Sequence, residues 1–83
     1  MKLVYFAWVR ERIGKGEEEL DLPESVVTAG DLIQYLSGLG EEYEAAFQFP
    51  QAIRVAVNQE HVEHHEPITG AREIGLFPPM TGG

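Results

Sequence analysis

The apolar residues at the start of the chain form one uninterrupted run. Every residue from Leu3 to Val9 is apolar, with Leu3, Tyr5, Ala7 and Val9 on one face of an extended chain and Val4, Phe6 and Trp8 on the other. This run predicts a central strand over residues 2–9. In residues 17–22 the side chains of Glu18, Leu20 and Leu22 alternate with those of Glu17, Glu19 and Asp21. This alternation predicts an outer hairpin strand with one face exposed to solvent.

A helix is predicted to begin after Thr28. Thr28 is a good N-cap, and Asp31 stands three positions later as a variant of the capping box. An apolar stripe at helical spacing follows, made of Leu32, Tyr35, Leu36 and Leu39. Gly40 suits the left-handed position after the last turn. Residues 41–47 predict a second short helix, with Tyr43, Ala46 and Phe47 inward, before Pro50.

The second half of the chain returns to extended patterns. Strands are predicted over residues 52–57, around 60–62 and over 72–77, with turns at Asn58-Gln59 and at residues 67–70. One helix covering one face of a mixed sheet of four to five strands defines an α+β class of the β-grasp, ubiquitin-like kind. We therefore predict a β-grasp domain over residues 1–77 and an extended tail over residues 78–83.

Composition restricts the function further. The chain of 83 residues has 14 acidic and 6 basic residues and a net charge of −8, which argues against binding to nucleic acid or to an anionic membrane. It has no cysteine, so thiolate chemistry and disulfides are excluded. No run of about 18 apolar residues and no signal-peptide pattern is present, and we expect a cytoplasmic protein.

The tail is the part of the sequence that indicates chemistry. Pro78 and Pro79 restrict the backbone to extended geometry, and Gly82 and Gly83 make a thin end without side chains. Seven extended residues span roughly 23–25 Å, enough to place the terminal carboxyl inside another protein. That carboxylate is a poor electrophile until a partner activates it, for example as an acyl adenylate. The alternative is that Gly-Gly is only a frayed end or a remnant of cloning.

The tail also carries a family resemblance. Residues 76–83, Leu-Phe-Pro-Pro-Met-Thr-Gly-Gly, resemble the ending of the small, sulfur-carrying subunits of molybdopterin synthase. Weaker matches in register lie at residues 6–11, 55–59 and 67–70, so the resemblance spans the chain. It departs from the family at Met80, where valine is common, and at Ala71-Arg72, where an acidic-glycine turn is common.

The resemblance implies a function and partners. Gly83 would be adenylated by a ubiquitin-activating-type adenylyltransferase that uses ATP, converted to a thiocarboxylate by a sulfur donor protein, and inserted into the large synthase subunit. Residues 78–82, namely Pro78, Pro79, Met80, Thr81 and Gly82, would form the inserted segment. Sulfur would pass to cyclic pyranopterin monophosphate, and this chain would bind no cofactor and supply no catalytic side chain. The resemblance also implies a heterotetramer with two copies of each subunit, of which this chain would make up one half.

A docking face follows from the strand phasing together with the resemblance. If the odd-numbered residues of the first strand face the helix, Phe6, Trp8 and Phe77 lie on the opposite face, which no predicted helix covers. His61 falls on the same patch, where the family often has an aliphatic residue. The alternative is that loops or residues 41–47 fold over these aromatic side chains.

Other functions remain open at this point. His61, His64 and His65 alternate with acidic residues and invite a zinc interpretation, but turn signals surround them and we predict a solvated hairpin without metal. A sulfur carrier for thiamine, a ubiquitin-like modifier and a plain acidic interaction domain are the alternative functions. The proline pair favours the molybdopterin branch.

Overall fold

The computed structural model describes residues 1–79. Within that range the chain forms five strands, three α-helices and one 3₁₀ turn, in the order β1 (Lys2–Tyr5), α1 (Ala7–Ile13), β2 (Glu17–Glu19), α2 (Ala29–Ser37), α3 (Glu41–Ala46), the 3₁₀ turn (Pro50–Ala52), β3 (Arg54–Val57), β4 (Glu60–Val62) and β5 (Glu73–Phe77).

The strands form one mixed sheet. Their order is β2-β1-β5-β3-β4, and the central pair β1 and β5 is parallel whereas every other neighbouring pair is antiparallel. The antiparallel pair β1–β2 therefore meets the three-stranded antiparallel unit β5-β3-β4 along a parallel seam, with α2 and α3 in the connection between β2 and β3. This confirms the predicted β-grasp fold of mixed sheet and helices, with α1 as an additional helix.

The core lies between the sheet and the helices. Leu3 and Tyr5 of β1 pair with Ile74 and Leu76 of β5, and all four side chains are buried. Val9, Leu32, Leu36, Phe47 and Val55 belong to the same cluster of buried side chains. Period-two alternation places the intervening strand residues on the other face of the sheet.

The first strand is shorter than the sequence predicts. The prediction of a strand over residues 2–9 is wrong after Tyr5, because Ala7 has φ 51° and turns the chain into α1. Val9 and Ile13 are one helical turn apart and are both buried. Gly14, at φ 89°, ends the helix and donates its N–H to the Arg10 carbonyl. Apolar residues at i and i+4 followed by glycine are a helical signal that the continuous apolar run conceals.

The capping of α2 follows the prediction and its end does not. The Thr28 hydroxyl accepts from the Asp31 N–H, and the Asp31 carboxylate accepts from the Thr28 and Val27 N–H groups, which lowers the pKa of Asp31. The helix ends at Ser37, and Gly40 has an extended φ of 171° as the N-cap of α3, so its predicted left-handed role is wrong. The second short helix is confirmed as α3, with Tyr43 and Ala46 buried.

The turn between β3 and β4 contains removable strain. Val57 pairs with Glu60 across a two-residue loop, and Asn58 and Gln59 have φ values of 49° and 72°. Both values match a type I′ turn, for which glycine is the favoured second residue. We expect Gln59→Gly to raise the free energy of unfolding by about 0.5–1 kcal/mol, measured by urea denaturation.

Gln34→Gly is the matched control, because Gln34 lies within α2. There the same substitution is expected to lower stability by about 1 kcal/mol. Destabilisation by both variants would show that the turn holds no relievable strain.

Candidate functional site

An aromatic pair lies on the sheet face opposite the helices. The rings of Phe6 and Phe77 meet edge to face, with centroids 6.2 Å apart and an interplanar angle of 84°. Phe6 is 48% exposed, and Phe77 is partly exposed at the end of β5. A large exposed ring adjacent to a second ring is unusual on a small domain and is typical of an interface anchor.

Gly75 makes room for this pair. A Cβ built on Gly75 would lie 3.2 Å from Cε2 of Phe6, closer than ordinary carbon contacts. The Phe6 ring therefore lies directly over the backbone of β5. The backbone supports the same position, because the Phe6 N–H donates to the Leu76 carbonyl at 3.1 Å.

The strand register defines the rest of this face. Val4, Gly75, Ala56 and His61 stand opposite one another in one row across β1, β5, β3 and β4. Arg54 pairs with Phe77 in the neighbouring row. At the other end of the sheet, Lys2 lies 3.5 Å from a Glu17 carboxylate oxygen and 3.8 Å from one of Glu73. We call the surface formed by Phe6, Phe77, Val4, Gly75 and Ala56 the aromatic face. His61 and Arg54 border it.

Trp8 does not belong to the aromatic face. Its predicted place there is wrong, because Trp8 lies in α1 and not in a strand. The ring is partly buried against the core, and the Arg12 guanidinium lies 4.4 Å from its centroid. Of the four predicted docking residues, the structure thus brings Phe6 and Phe77 into contact, places His61 at the border of their face, and separates Trp8.

The tail begins beside the aromatic pair. Pro78 and Pro79 follow Phe77 directly and are partly buried. Met80, Thr81, Gly82 and Gly83 lie outside the described residues, so the proposed inserted segment, its reacting carboxyl and the division at residue 78 remain predictions. The last described residues nevertheless fix where the segment starts, next to the exposed rings.

The histidines of the β4–β5 connection are not arranged around a common point. The His64 Nε2–H donates to the Ile53 carbonyl at 2.7 Å, which uses that nitrogen inside the fold. His61 points from β4 as the cross-strand partner of Ala56. Among residues 1–79, no group of three or more histidine and acidic side chains could hold a metal ion.

A surface cavity lies at the end of the sheet opposite Phe77. It measures about 320 Å³ and is lined by Asn58, Gln59, Arg72 and Glu73. Asn58 Oδ1 accepts from the N–H groups of Arg72 and Glu73, so this amide joins the β3–β4 turn to the start of β5. Two of the residues that line the cavity, Asn58 and Glu73, are therefore held by hydrogen bonds that connect the strands. No helix within residues 1–79 is long and apolar enough to cross a membrane.

A hydrogen-bonded cluster around the carboxylate of Glu18 connects α3 to the sheet on the helical side. Glu18 Oε2 accepts hydrogen bonds of 2.6 Å from the hydroxyls of Tyr5 and Tyr43, and Glu18 Oε1 accepts from Lys15 Nζ at 3.2 Å. Burial opposes the charge of Glu18, but the three donors outweigh it and lower its pKa. Burial, and next the hydrogen bond to Glu18, raise the pKa of Tyr5 and of Tyr43. This cluster is not predictable from the sequence, because nothing in the linear pattern places Glu18 beside α3.

The class of protein follows from this geometry. A mixed sheet with a parallel central pair, an uncovered aromatic face and a chain end leaving beside it define a ubiquitin-like β-grasp protein. Residues 3–83 match the ThiS family, and the chain belongs to that family.

Named relatives agree with this assignment. The chain is 33% identical over 85 residues to the molybdopterin synthase sulfur carrier subunit of Escherichia coli K12, which covers 100% of this chain and 99% of that protein. Its fold is similar to a candidate molybdopterin converting factor, subunit 1, from Pyrococcus furiosus, with a TM-score of 0.73, 30% identity and 95% of each chain covered. It is also similar to the small archaeal modifier protein 1 of Haloferax volcanii, with a TM-score of 0.71, 25% identity, and 96% and 97% of the two chains covered.

The lowered pKa of Glu18 gives a test of the cluster. A folded-state pKa below the unfolded value contributes stability that is present above the unfolded pKa, near 4.5, and is lost as the pH falls through the folded pKa. Glu18→Gln is expected to lower the free energy of unfolding by about 1–3 kcal/mol at pH 7. It should also flatten the fall in stability on acidification below about pH 5. Urea denaturation at several pH values measures both effects.

Glu24→Gln provides the control, because Glu24 is an exposed residue of the loop before α2. This variant should keep the wild-type pH dependence and change stability by less than about 0.5 kcal/mol. An unchanged pH slope in Glu18→Gln would mean that another group dominates acid unfolding.

Proposed function

We propose that this chain is the sulfur-carrying small subunit of a molybdopterin synthase. The observation that supports this most directly is the position of the tail base, Pro78-Pro79, beside an exposed aromatic pair on the face that the helices leave uncovered. Membership of the ThiS family and the relatives named as synthase sulfur carriers support the same function.

The proposed chemistry takes place at the carboxyl of Gly83. A ubiquitin-activating-type adenylyltransferase transfers the AMP group of ATP to this carboxylate and releases pyrophosphate. A sulfur donor protein then supplies sulfur at the oxidation level of sulfide, which bonds to the acyl carbon and displaces AMP, and a thiocarboxylate results. In the large synthase subunit, the thiocarboxylate gives its sulfur to cyclic pyranopterin monophosphate, and water restores the carboxylate.

In this proposal the chain itself is a carrier and not a catalyst. ATP belongs to the activating partner, and the described residues of this chain contribute a docking face and a direction for the tail. Glu18 lies on the helical side of the sheet, where its carboxylate accepts hydrogen bonds from the hydroxyls of Tyr5 and Tyr43. Because activation consumes ATP, we propose that these reactions take place in the cytoplasm.

Two related functions share the fold. A thiamine-type sulfur carrier would transfer the same sulfur to a different acceptor, and a ubiquitin-like modifier would form isopeptide bonds through the same carboxyl. Similarity to the small archaeal modifier protein shows that fold alone does not separate them. The full-length similarity to a synthase sulfur carrier and the proline pair favour the synthase.

The first test follows the tail by intact mass. Protein incubated with its activating enzyme, ATP and a sulfur donor should gain the mass of one oxygen-to-sulfur exchange at Gly83. A variant with one alanine added after Gly83 should show no gain, because the activated carboxyl would then belong to a residue with a side chain at the narrow end.

The melting temperature of the extended variant should equal that of the wild type, since the added residue lies beyond the described core. Isopeptide-linked products in place of the sulfur exchange would favour the modifier. Full loading of the extended variant would refute the proposed role of Gly83.

The second test concerns the aromatic pair. Phe77→Ala should weaken binding to the large synthase subunit by about 1–3 kcal/mol, because it removes an anchor ring and the edge-to-face contact with Phe6. Isothermal titration calorimetry with the large subunit of the same organism measures the change.

Leu39→Ala is the comparison variant, because Leu39 is also exposed but lies between α2 and α3, on the helical side. Its affinity should match the wild type. Equal affinities for all three proteins would place Phe77 outside the interface.

A further inference from the structure

Basic residues are concentrated at α1. Arg10, Arg12 and Lys15 are half of the six basic residues of a chain that has 14 acidic ones, and they lie within six positions. Lys15 is engaged by Glu18, and Arg10 packs beside Gly16. Within residues 1–79, neither Arg10 nor Arg12 takes part in a salt bridge. An exposed guanidinium in such an acidic chain that has no internal carboxylate partner is available to an external one.

Trp8 holds the Arg12 guanidinium in place. The 4.4 Å distance from Cζ to the ring centroid is that of a cation–π contact. The ring is itself fixed, because it packs partly against the core. A stacked guanidinium keeps the N–H groups at its edge free for a carboxylate, and its restricted motion reduces the entropy lost on binding.

The helix that carries this pair starts at the border of the aromatic face, because Phe6 is its N-cap. Helix α1 begins at Ala7, directly after Phe6, and its seven residues span only about 10 Å. The helix packs mainly against α3, and it also contacts β5, the strand that carries Phe77. An interface of standard size covers about 800 Å² per partner, a disc of roughly 16 Å radius. A partner centred on the Phe6 and Phe77 rings therefore extends to α1.

We propose that the Trp8–Arg12 pair is a second recognition element for the large synthase subunit, and that it binds a carboxylate beside the cleft that accepts the tail. This inference rests on the proposed function and specifies the charge of the partner surface. The chain as a whole is acidic and favours basic partner surfaces, so a local cation adds orientation: it is satisfied only when the partner docks in one register.

Association kinetics test the proposal. Arg12→Gln should slow association with the large subunit about tenfold at low ionic strength, and the difference from wild type should shrink as salt is added. Arg12→Lys, which keeps the charge without the planar group, should give an intermediate rate. Arg72→Gln is the matched control, because Arg72 is exposed beside the start of β5, at the far end of the sheet, and it should associate like the wild type.

Each outcome has a distinct meaning. If Arg12→Gln and Arg72→Gln associate equally fast at every salt concentration while the wild type binds, the inference is wrong and the proposed function stands. If Arg12→Gln slows association only with the activating enzyme, the assignment to the large subunit is wrong. If wild-type protein neither binds the large subunit nor gains sulfur, the proposed function itself fails. Unchanged thermal unfolding of Arg12→Lys ensures that its result reports on binding.

Discussion

The parallel pairing of β1 with β5 is the interaction on which the rest of the structure depends. Its register, Leu3 with Ile74 and Tyr5 with Leu76, places four side chains in the core. Because side chains alternate along a strand, the same register puts Phe77 on the uncovered face at the last position of β5. A shift by one residue would exchange the two faces, burying the recognition side chains and exposing the core. The burial of the core thereby also sets the position at which Pro78 and Pro79 follow the sheet.

The hydrogen-bonded cluster at Glu18 and the exposed aromatic pair consequently lie on opposite sides of one sheet. On the helical side, Glu18 joins Tyr5 of β1 to Tyr43 of α3 through two short hydrogen bonds. On the other side, Phe6 rests on the backbone of Gly75 and exposes about half of its surface. For so small a domain, with little apolar surface to spare, this exposed ring is better explained by a partner than by folding.

Much of the fold could be predicted because alternation and capping are local signals. The capping box at Thr28 and Asp31, the short helix α3 and the inward positions of β5 all follow from residues close in sequence. Helix α1 could not be separated from a strand by hydrophobicity alone, since its residues continue an apolar run and the change of direction depends on one left-handed residue, Ala7. The hydrogen bond from Tyr43 to Glu18 joins residues 25 positions apart, and no local pattern encodes it.

The end of β1 determines which of the predicted docking residues share a face. The alternation of side chains along β1 and β5 predicts that Phe6 and Phe77 lie on the same face. This alternation continues up to the last hydrogen bond between the two strands, from the Phe6 N–H to the Leu76 carbonyl. The same alternation does not apply to Trp8, because β1 ends at Tyr5. The helix that replaces the strand brings Trp8 beneath Arg12, so a residue predicted as an apolar contact instead supports a charge. In the proposed complex the recognition surface beside Pro78 is therefore mixed in character, with an aromatic centre on the sheet and a cation on the adjoining helix, and the partner would supply both an apolar pocket and an acidic margin.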